Sequence, residues 1–231
     1  MGTAAETMKQ ADLWEERRQR TGFDLSRSRL RDLSCAVDTA TSGTVRSACM
    51  RSAVQRPLVS EEEFLRLPES TARIELVDGE VVVSPSPTYW HQEILGRIVV
   101  ALRAWAGRQK RPVTVGQAPL DVRFGSGRIL QPDAFVLFAR VARRHEGPID
   151  KIPQLCVEVL SSERLHDRVT KRLLYAAAGV AEYWVVEPAG VVERWSGPGL
   201  ARAEALRRRL TTPLLPGFVL DLRRLFVTKQ S

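Results

Sequence analysis

Apolar and polar residues follow two different periods along this chain, one typical of strands and one typical of helices. Alternating apolar positions over residues 73–84 flank the turn pair Asp78-Gly79, which predicts a β-hairpin. A shorter helix is predicted after Ser60, which forms a capping-box pattern with Glu63. A long helix over about residues 88–108 is predicted by apolar residues at helical spacing, which are Ile94, Leu95, Ile98, Val99, Leu102 and Trp105.

Short apolar runs bounded by Gly, Pro or polar residues predict the remaining strands. These runs are residues 113–115, 120–124, 129–138, 155–160, 181–187 and 191–195, and a closing segment covers residues 213–226. A further helix over about residues 163–178 stops at Gly179. The resulting order, α-ββ-α-ββββ-α-ββ, predicts an α+β domain built on a mixed sheet.

The helix predicted over residues 163–178 has two faces that are both partly apolar. Its main apolar stripe is expected to face the core and consists of Leu165, Val169, Leu173 and Ala176. Lys171 projects to the opposite side, where Asp167 could pair with it on the surface. Because Leu174 and Tyr175 share this second face, an alternative is that the helix is packed on both sides. Lys171 would then point into a cleft, where it could neutralise a phosphate.

Two acidic residues lie within apolar runs, where a carboxylate loses hydration at a cost of several kcal/mol unless a cation or a donor compensates. Asp133 lies in the run 129–138 and Glu158 in the run 155–160. On adjacent strands, about 4.8 Å apart, two carboxylates on one face could chelate one divalent ion. All-oxygen sites suit Mg²⁺ or Mn²⁺. The alternative is that Asp133 supports a Pro-Asp turn and that Glu158 pairs with an arginine.

Glu75 is a third candidate acid. It lies between Ile74 and Leu76 on a predicted strand and therefore points away from both, so the pattern alone favours a solvent-facing position. His91 lies in the first turn of the long helix. A catalytic role is open to it, but the pattern favours capping or packing.

The composition adds an excess of positive charge to this picture. The formal net charge of +8 over 231 residues favours contact with polyanions such as DNA or RNA. Three basic clusters could follow a phosphate backbone or simply form solvated faces: Arg103, Arg108, Lys110 and Arg111; Arg140, Arg143, Arg144 and Lys151; and Arg207–Arg209. The three cysteines have neither disulfide nor zinc spacing.

Residues 1–56 are rich in Arg, Ser, Thr and Ala and show little hydrophobic periodicity. They are predicted to form a poorly ordered N-terminal extension, and residues 57–231 are predicted to form the domain. An alternative is that synthesis starts at Met50 or nearby. The pattern includes neither a secretory signal nor an apolar run of ~20 residues, so we expect a cytoplasmic protein without membrane association.

Short motifs between about residues 57 and 226 occur in a specific order. They are Ile74–Glu80, Ser84–Pro87 with His91-Gln92, Gln131–Asp133, Val157–Ser161, Asp167 with Lys171 and Tyr175, Ala178–Trp184, and Leu214–Gly217. Together they resemble the Uma-two family of restriction endonucleases, a branch of the PD-(D/E)XK nuclease superfamily.

The resemblance implies a restriction-endonuclease-like core, with a mixed central sheet flanked by helices and Mg²⁺ at the sheet edge. It implies that Asp133 and Glu158 are metal ligands and that Glu75 is a third acid. The superfamily usually places a lysine two residues after the glutamate, and that position is Leu160 here. By the same resemblance, Lys171 of the following helix substitutes for this lysine.

The sequence therefore favours a DNA endonuclease that depends on Mg²⁺ or Mn²⁺ and uses Glu75, Asp133, Glu158 and Lys171. A homodimer would suit double-strand cutting. One alternative, which Leu160 favours, is a non-catalytic nucleic-acid-binding or accessory protein that retains the nuclease fold. Another is a protein-interaction module with Trp184 and Trp195 on an exposed patch.

Overall fold

The computed structural model describes residues 58–68, 72–160 and 165–227, without the side chains of residues 165–168. The predicted extension over residues 1–56 and the alternative start at Met50 lie outside the described residues. The helices are α1 (Glu61–Leu65), α2 (Tyr89–Ala106), α3 (Leu165–Ala177) and α4 (Leu222–Leu225), with a 3-10 turn at Pro198–Leu200.

The strands of the described residues include most of the predicted ones and some that were not predicted. They are β1 (Arg73–Val77), β2 (Glu80–Ser84), β3 (Thr114–Gln117), β4 (Val122–Arg123), β5 (Arg128–Leu130), β6 (Ala134–Leu137), β7 (Leu155–Val159), β8 (Glu182–Glu187), β9 (Val191–Ser196), β10 (Arg202–Leu206), β11 (Arg209–Leu210) and β12 (Leu220–Asp221). The predicted hairpin is confirmed, because β1 and β2 pair antiparallel around Asp78-Gly79. Both turn residues have the positive φ that a tight hairpin turn requires.

A mixed six-stranded sheet, in the order β10-β9-β8-β7-β6-β3, is the largest in the described residues. β7 and β8 are parallel and the other neighbours are antiparallel. Parallel neighbours need a crossover connection, and α3 lies on the connection between β7 and β8. A four-stranded antiparallel sheet has the order β2-β1-β5-β4. The predicted α+β class with a mixed sheet is confirmed.

The central strands β6 and β7 are buried on both faces. One face packs against α2 through Ile94, Leu95, Ile98, Val99, Leu102 and Trp105. The other face contributes Phe135 and Cys156 to a second cluster, which contains Leu174 and Tyr175 of α3. Because side chains alternate along a strand, Glu158 lies on the same face of β7 as Cys156 and points toward α3.

The run predicted as one strand over residues 129–138 is two strands in different sheets. β5 pairs with β1 and β4 in the smaller sheet, and β6 pairs with β3 and β7 in the larger one. The break falls at Pro132, which has no N–H to donate to a sheet. Asp133 follows this break and is therefore not a strand residue.

The prediction for the buried face of α3 is wrong. Val169 and Leu173 are 53% and 55% exposed, whereas Lys171, Leu174 and Tyr175 are buried. The Tyr175 ring contacts the rings of Phe124 and Tyr183. The helix turns its mixed face inward because aromatic packing and the ion pairs of Lys171 are both available there.

The exposed tryptophan patch is also contradicted, because Trp184 is fully buried against Phe218. Trp195 is half-buried beneath the guanidinium of Arg172. Among the helices of the described residues, none has the length and apolar character that crossing a membrane requires.

Candidate active site

Asp133 lies in the chain segment that passes from the smaller sheet to the larger one, and its side chain is 3% exposed. Its Oδ2 accepts hydrogen bonds from the Val159 backbone N–H at 2.7 Å and from His91 Nε2 at 3.1 Å. Its Oδ1 accepts one from Arg73 at 2.5 Å. Burial opposes ionisation, but the His91 hydrogen bond and the charge of Arg73 outweigh it, so the pKa of Asp133 is lowered. Asp133 is therefore a carboxylate.

Glu158 faces α3 from the penultimate position of β7 and is also buried. Its Oε1 accepts hydrogen bonds from Tyr175 OH at 2.6 Å and from Lys171 Nζ at 3.0 Å. Its Oε2 lies 3.4 Å from Arg73. Burial raises the pKa of Glu158, the charge of Lys171 lowers it, and the nearby Asp133 carboxylate raises it further; the net direction is upward.

Glu75 is buried, so the solvent-facing position that the alternation favoured is wrong. The reason is that β1 is covered on both sides. Leu76 packs with Phe64 and Ile129 on one side, and Glu75 points toward Lys171 and Arg73 on the other. Its Oε1 accepts hydrogen bonds from the Gln131 backbone N–H at 2.8 Å and from Lys171 at 3.1 Å. Burial opposes ionisation, but the charges of Lys171 and Arg73 lower the pKa of Glu75.

Lys171 is buried beneath Glu75 and Glu158 and is not on the surface. Burial acts to lower its pKa, but the charges of Glu158 and Glu75 outweigh it and raise the pKa, so Lys171 is an ammonium. The four residues that the sequence selected, Glu75, Asp133, Glu158 and Lys171, thus lie in one cluster.

Sequence reasoning missed Arg73, which contacts all three acids. Its guanidinium binds Asp133, lies 3.4 Å from Glu158 and 3.5 Å from Glu75, and donates to the Gln131 carbonyl oxygen. The carboxylates raise its pKa against the effect of burial. A signal was available, because Arg73 and Glu75 are two residues apart on one strand and must share a face.

His91 and Tyr175 also belong to the cluster. The backbone of His91 completes the Thr88 cap of α2, as its position in the first turn suggested, while its imidazole contacts Asp133. Since an ionised carboxylate only accepts, His91 Nε2 is the donor in this contact. Tyr175 was noted only as part of a family motif, and its hydroxyl donates to Glu158.

The donor chemistry of the cluster fits a hard divalent cation, because three carboxylates supply oxygen ligands of the kind that Mg²⁺ and Mn²⁺ prefer. Within the described residues, however, no group of three or more His, Cys, Asp or Glu side chains is arranged as a ready metal site. Arg73 and Lys171 instead bind carboxylate oxygens of the three acids.

A cavity of about 280 Å³ lies next to Asp133 and is lined in part by Arg73, His91, Gln131 and Val159. Three of the buried polar atoms that lack a hydrogen-bond partner in the described residues belong to residues that line the cavity: Arg73 Nε, His91 Nδ1 and Gln131 Oε1. Buried polar groups normally have partners. The cavity is therefore bordered by polar residues that do not use all of their hydrogen-bonding groups within the described residues.

The basic residues named from the sequence are exposed. The Arg103 guanidinium donates a hydrogen bond of 3.2 Å to Oε1 of Gln117. The next two residues of the chain, Ala118 and Pro119, line the cavity. Arg111 stacks over the ring of Phe138. A continuous phosphate track remains a prediction.

Comparison with protein families gives a match over residues 61–223 to Uma2, a family described as "Putative restriction endonuclease". The chain belongs to the Uma2 family. Residues 61–223 of this Uma2 chain contain every side chain of the cluster.

A solved structure shares the fold. The protein, described as a putative nuclease belonging to DUF820 from Anabaena variabilis ATCC 29413, is 23% identical, and the match has a TM-score of 0.61. It covers 73% of this Uma2 chain and 97% of the other chain. No curated protein matches.

Proposed function

We propose that this Uma2 chain is a metal-dependent endonuclease that hydrolyses DNA phosphodiester bonds. The observation that carries the proposal is the convergence of three buried carboxylates and Lys171 beside a cavity lined by polar residues. Strongly perturbed ionisable groups in such a place are typical of catalytic sites. The family description and the shared fold support the same activity.

In this proposal Asp133 and Glu158 hold Mg²⁺ or Mn²⁺, and Glu75 is the third acid. The ion supplies charge neutralisation at the phosphate and lowers the pKa of a bound water. The contribution of the chain is to fix the ligands: the Val159 N–H and His91 orient Asp133, and Tyr175 orients Glu158. Such outer contacts determine how well ligands are positioned.

Lys171 provides the fixed positive charge of the site. Its ammonium is held between Glu75 and Glu158 by hydrogen bonds of 3.1 and 3.0 Å, and a charge fixed in this way can stabilise negative charge that develops on the phosphate. The superfamily's usual lysine position, Leu160, is buried in the apolar cluster beneath α3 and cannot supply this charge.

A plasmid-cleavage assay with Mg²⁺ or Mn²⁺ tests the proposal. We expect Asp133→Asn and Glu158→Gln to abolish cleavage while the wild type cuts. Glu182→Gln is the matched control, because Glu182 is a buried acid of the same sheet that bonds Trp184 and Thr212 outside the cluster. Cleavage at equal rates by the wild type and both site variants would reject the assignment.

A second candidate is a nucleic-acid-binding protein without turnover. The observation that favours it is that Arg73 and Lys171 already balance most of the charge of the three acids. It predicts salt-sensitive DNA binding together with no heat of binding when Mg²⁺ or Mn²⁺ is titrated into the protein.

A further inference from the structure

The two oxygens of each ligand carboxylate have different surroundings. Asp133 Oδ2 accepts two hydrogen bonds, from His91 and Val159, and Glu158 Oε1 accepts two, from Lys171 and Tyr175. In the contacts of the described residues, the remaining oxygens, Asp133 Oδ1 and Glu158 Oε2, both meet Arg73. In each carboxylate, one oxygen thus accepts two hydrogen bonds from other residues, and the other oxygen faces the Arg73 guanidinium.

Two further oxygens contact this guanidinium, and one of them is Glu75 Oε1 at 3.5 Å. The backbone carbonyl of Gln131 accepts a hydrogen bond from Arg73. Three carboxylate oxygens and one carbonyl oxygen, from β1, the segment 131–133 and β7, therefore surround a single cationic group. This set of donors is also what a hard divalent ion binds.

We propose that Arg73 is a displaceable cation, which holds the position between Asp133 and Glu158 until a divalent ion replaces it. The inference rests on the proposed metal-dependent function and adds to it a residue that controls metal entry. It concerns Arg73 alone, because Lys171 binds the opposite oxygen of Glu158.

The cavity beside Asp133 offers space for the Arg73 side chain once an ion has displaced it. It lines the cavity of about 280 Å³, together with the polar side chains of Ser86 and Gln92. Its Nε has no hydrogen-bond partner among the described residues, so the inner part of the guanidinium is not anchored. Its side chain is 15% exposed, against 8% for Lys171.

The net charge of the cluster favours replacement of Arg73 by a divalent ion over binding of the ion beside Arg73. With Glu75, Asp133 and Glu158 ionised, Arg73 and Lys171 leave one net negative charge. A divalent ion added beside both cations would leave a net positive charge in a buried site. The same ion would leave the cluster neutral if Arg73 withdrew, and a neutral cluster is the least costly to bury.

Calorimetric titration of Mn²⁺ tests the inference without relying on cleavage. We expect Arg73→Met and Arg73→Gln to bind Mn²⁺ at least about tenfold more tightly than the wild type, since they remove a unit charge at contact distance. Arg73→Lys retains a competing cation and should bind like the wild type. Adding Asp133→Asn to Arg73→Met should remove the gained affinity.

Chemical competition separates displacement from a general charge effect. In Arg73→Ala the guanidinium position is vacated, so added methylguanidinium should compete with Mn²⁺ and weaken its apparent affinity in proportion to concentration. The wild type, whose own guanidinium holds the position, should show no such competition. Thermal unfolding supplies a second readout, because Mn²⁺ should raise the midpoint of Arg73→Met more than that of the wild type.

Three results would overturn the inference: no gain in Mn²⁺ affinity in either uncharged variant, no competition by methylguanidinium, or loss of folding in both variants even with Mn²⁺ present. The last would make Arg73 a permanent structural cation. Plasmid cleavage is scored separately. Cleavage by the wild type without tighter binding by the variants rejects only the role of Arg73, and tighter binding without cleavage rejects only the nuclease.

Discussion

The Nζ of Lys171 lies 3.0 Å from Oε1 of Glu158, and this contact joins a helix to the central sheet at a buried point. Lys171 also binds Glu75 of the smaller sheet. One ammonium group therefore links three elements of the fold. The contact explains how a chain with Leu160 at the usual lysine position still brings a lysine to the acids.

Loss of Lys171 should be costly to stability. Lys171→Met leaves two buried carboxylates without the closer of the two cations that they share, and breaking a buried pair costs about 3–5 kcal/mol. The free energy of unfolding measured in urea provides the test. Lys151→Met removes an exposed lysine and should change stability by less than about 0.5 kcal/mol. Equal small effects in both variants would contradict the buried contact.

His91 should affect metal binding through Asp133. His91→Ala removes the donor to Asp133 Oδ2, and loss of such an orienting partner lowers metal affinity or activity by about 10- to 100-fold. Mn²⁺ titration and cleavage rates measure the two effects. The control is His145→Ala, because the imidazole of His145 bonds only the Pro148 carbonyl in the described hydrogen bonds, away from the three acids. An unchanged Mn²⁺ affinity in His91→Ala would show that His91 does not orient a metal ligand.

The orientation of α3 can be tested with one substitution at adjacent positions. Leu174→Ala should destabilise the protein by about 2–5 kcal/mol, because Leu174 is buried in the second cluster. Leu173→Ala should cost less than about 0.5 kcal/mol, because Leu173 is 55% exposed. Denaturant unfolding measures both. A larger loss of stability in Leu173→Ala than in Leu174→Ala would show that the predicted apolar stripe is the buried face of α3.

Two glycines should respond to alanine in opposite directions. A Cβ at Gly116 on β3 would overlap the ring of Phe135, with three ring atoms no farther than 2.8 Å away. Gly116→Ala should therefore cost at least about 1–3 kcal/mol. Gly96→Ala on α2 meets no atom within 4 Å and should stabilise the helix by up to about 1 kcal/mol. Thermal unfolding distinguishes the two, and a stable Gly116→Ala would mean that Phe135 can move aside.

Local patterns predicted the elements whose signals lie within a few residues. The capping box of Ser60 and Glu63 is present as its spacing indicated, and the buried stripe of α2 is the predicted set. The turn at Asp78-Gly79 fixed the register of the first hairpin. These features depend on backbone geometry and on periodicity, which a sequence carries directly.

The sequence also identified Glu75, Asp133, Glu158 and Lys171 as candidate site residues. It did not show that their side chains lie in one cluster. Glu75 and Lys171 were each expected to face solvent when judged by alternation on one element. Periodicity assumes that each element has one buried face. β1 is instead covered on both sides, and α3 buries the face opposite to its predicted stripe, so Glu75 and Lys171 are buried beside their partners.

The sequence by itself determined most of the elements, the α+β class and the candidate acids, because hydrophobic period and turn chemistry act locally. Only the tertiary structure decided which face of α3 turns inward, where the chain changes sheets at Asp133, and that Arg73 lies among the three carboxylates. The reason is that ion pairing between distant segments offsets the cost of burying charge, and that balance exists only after the segments have met.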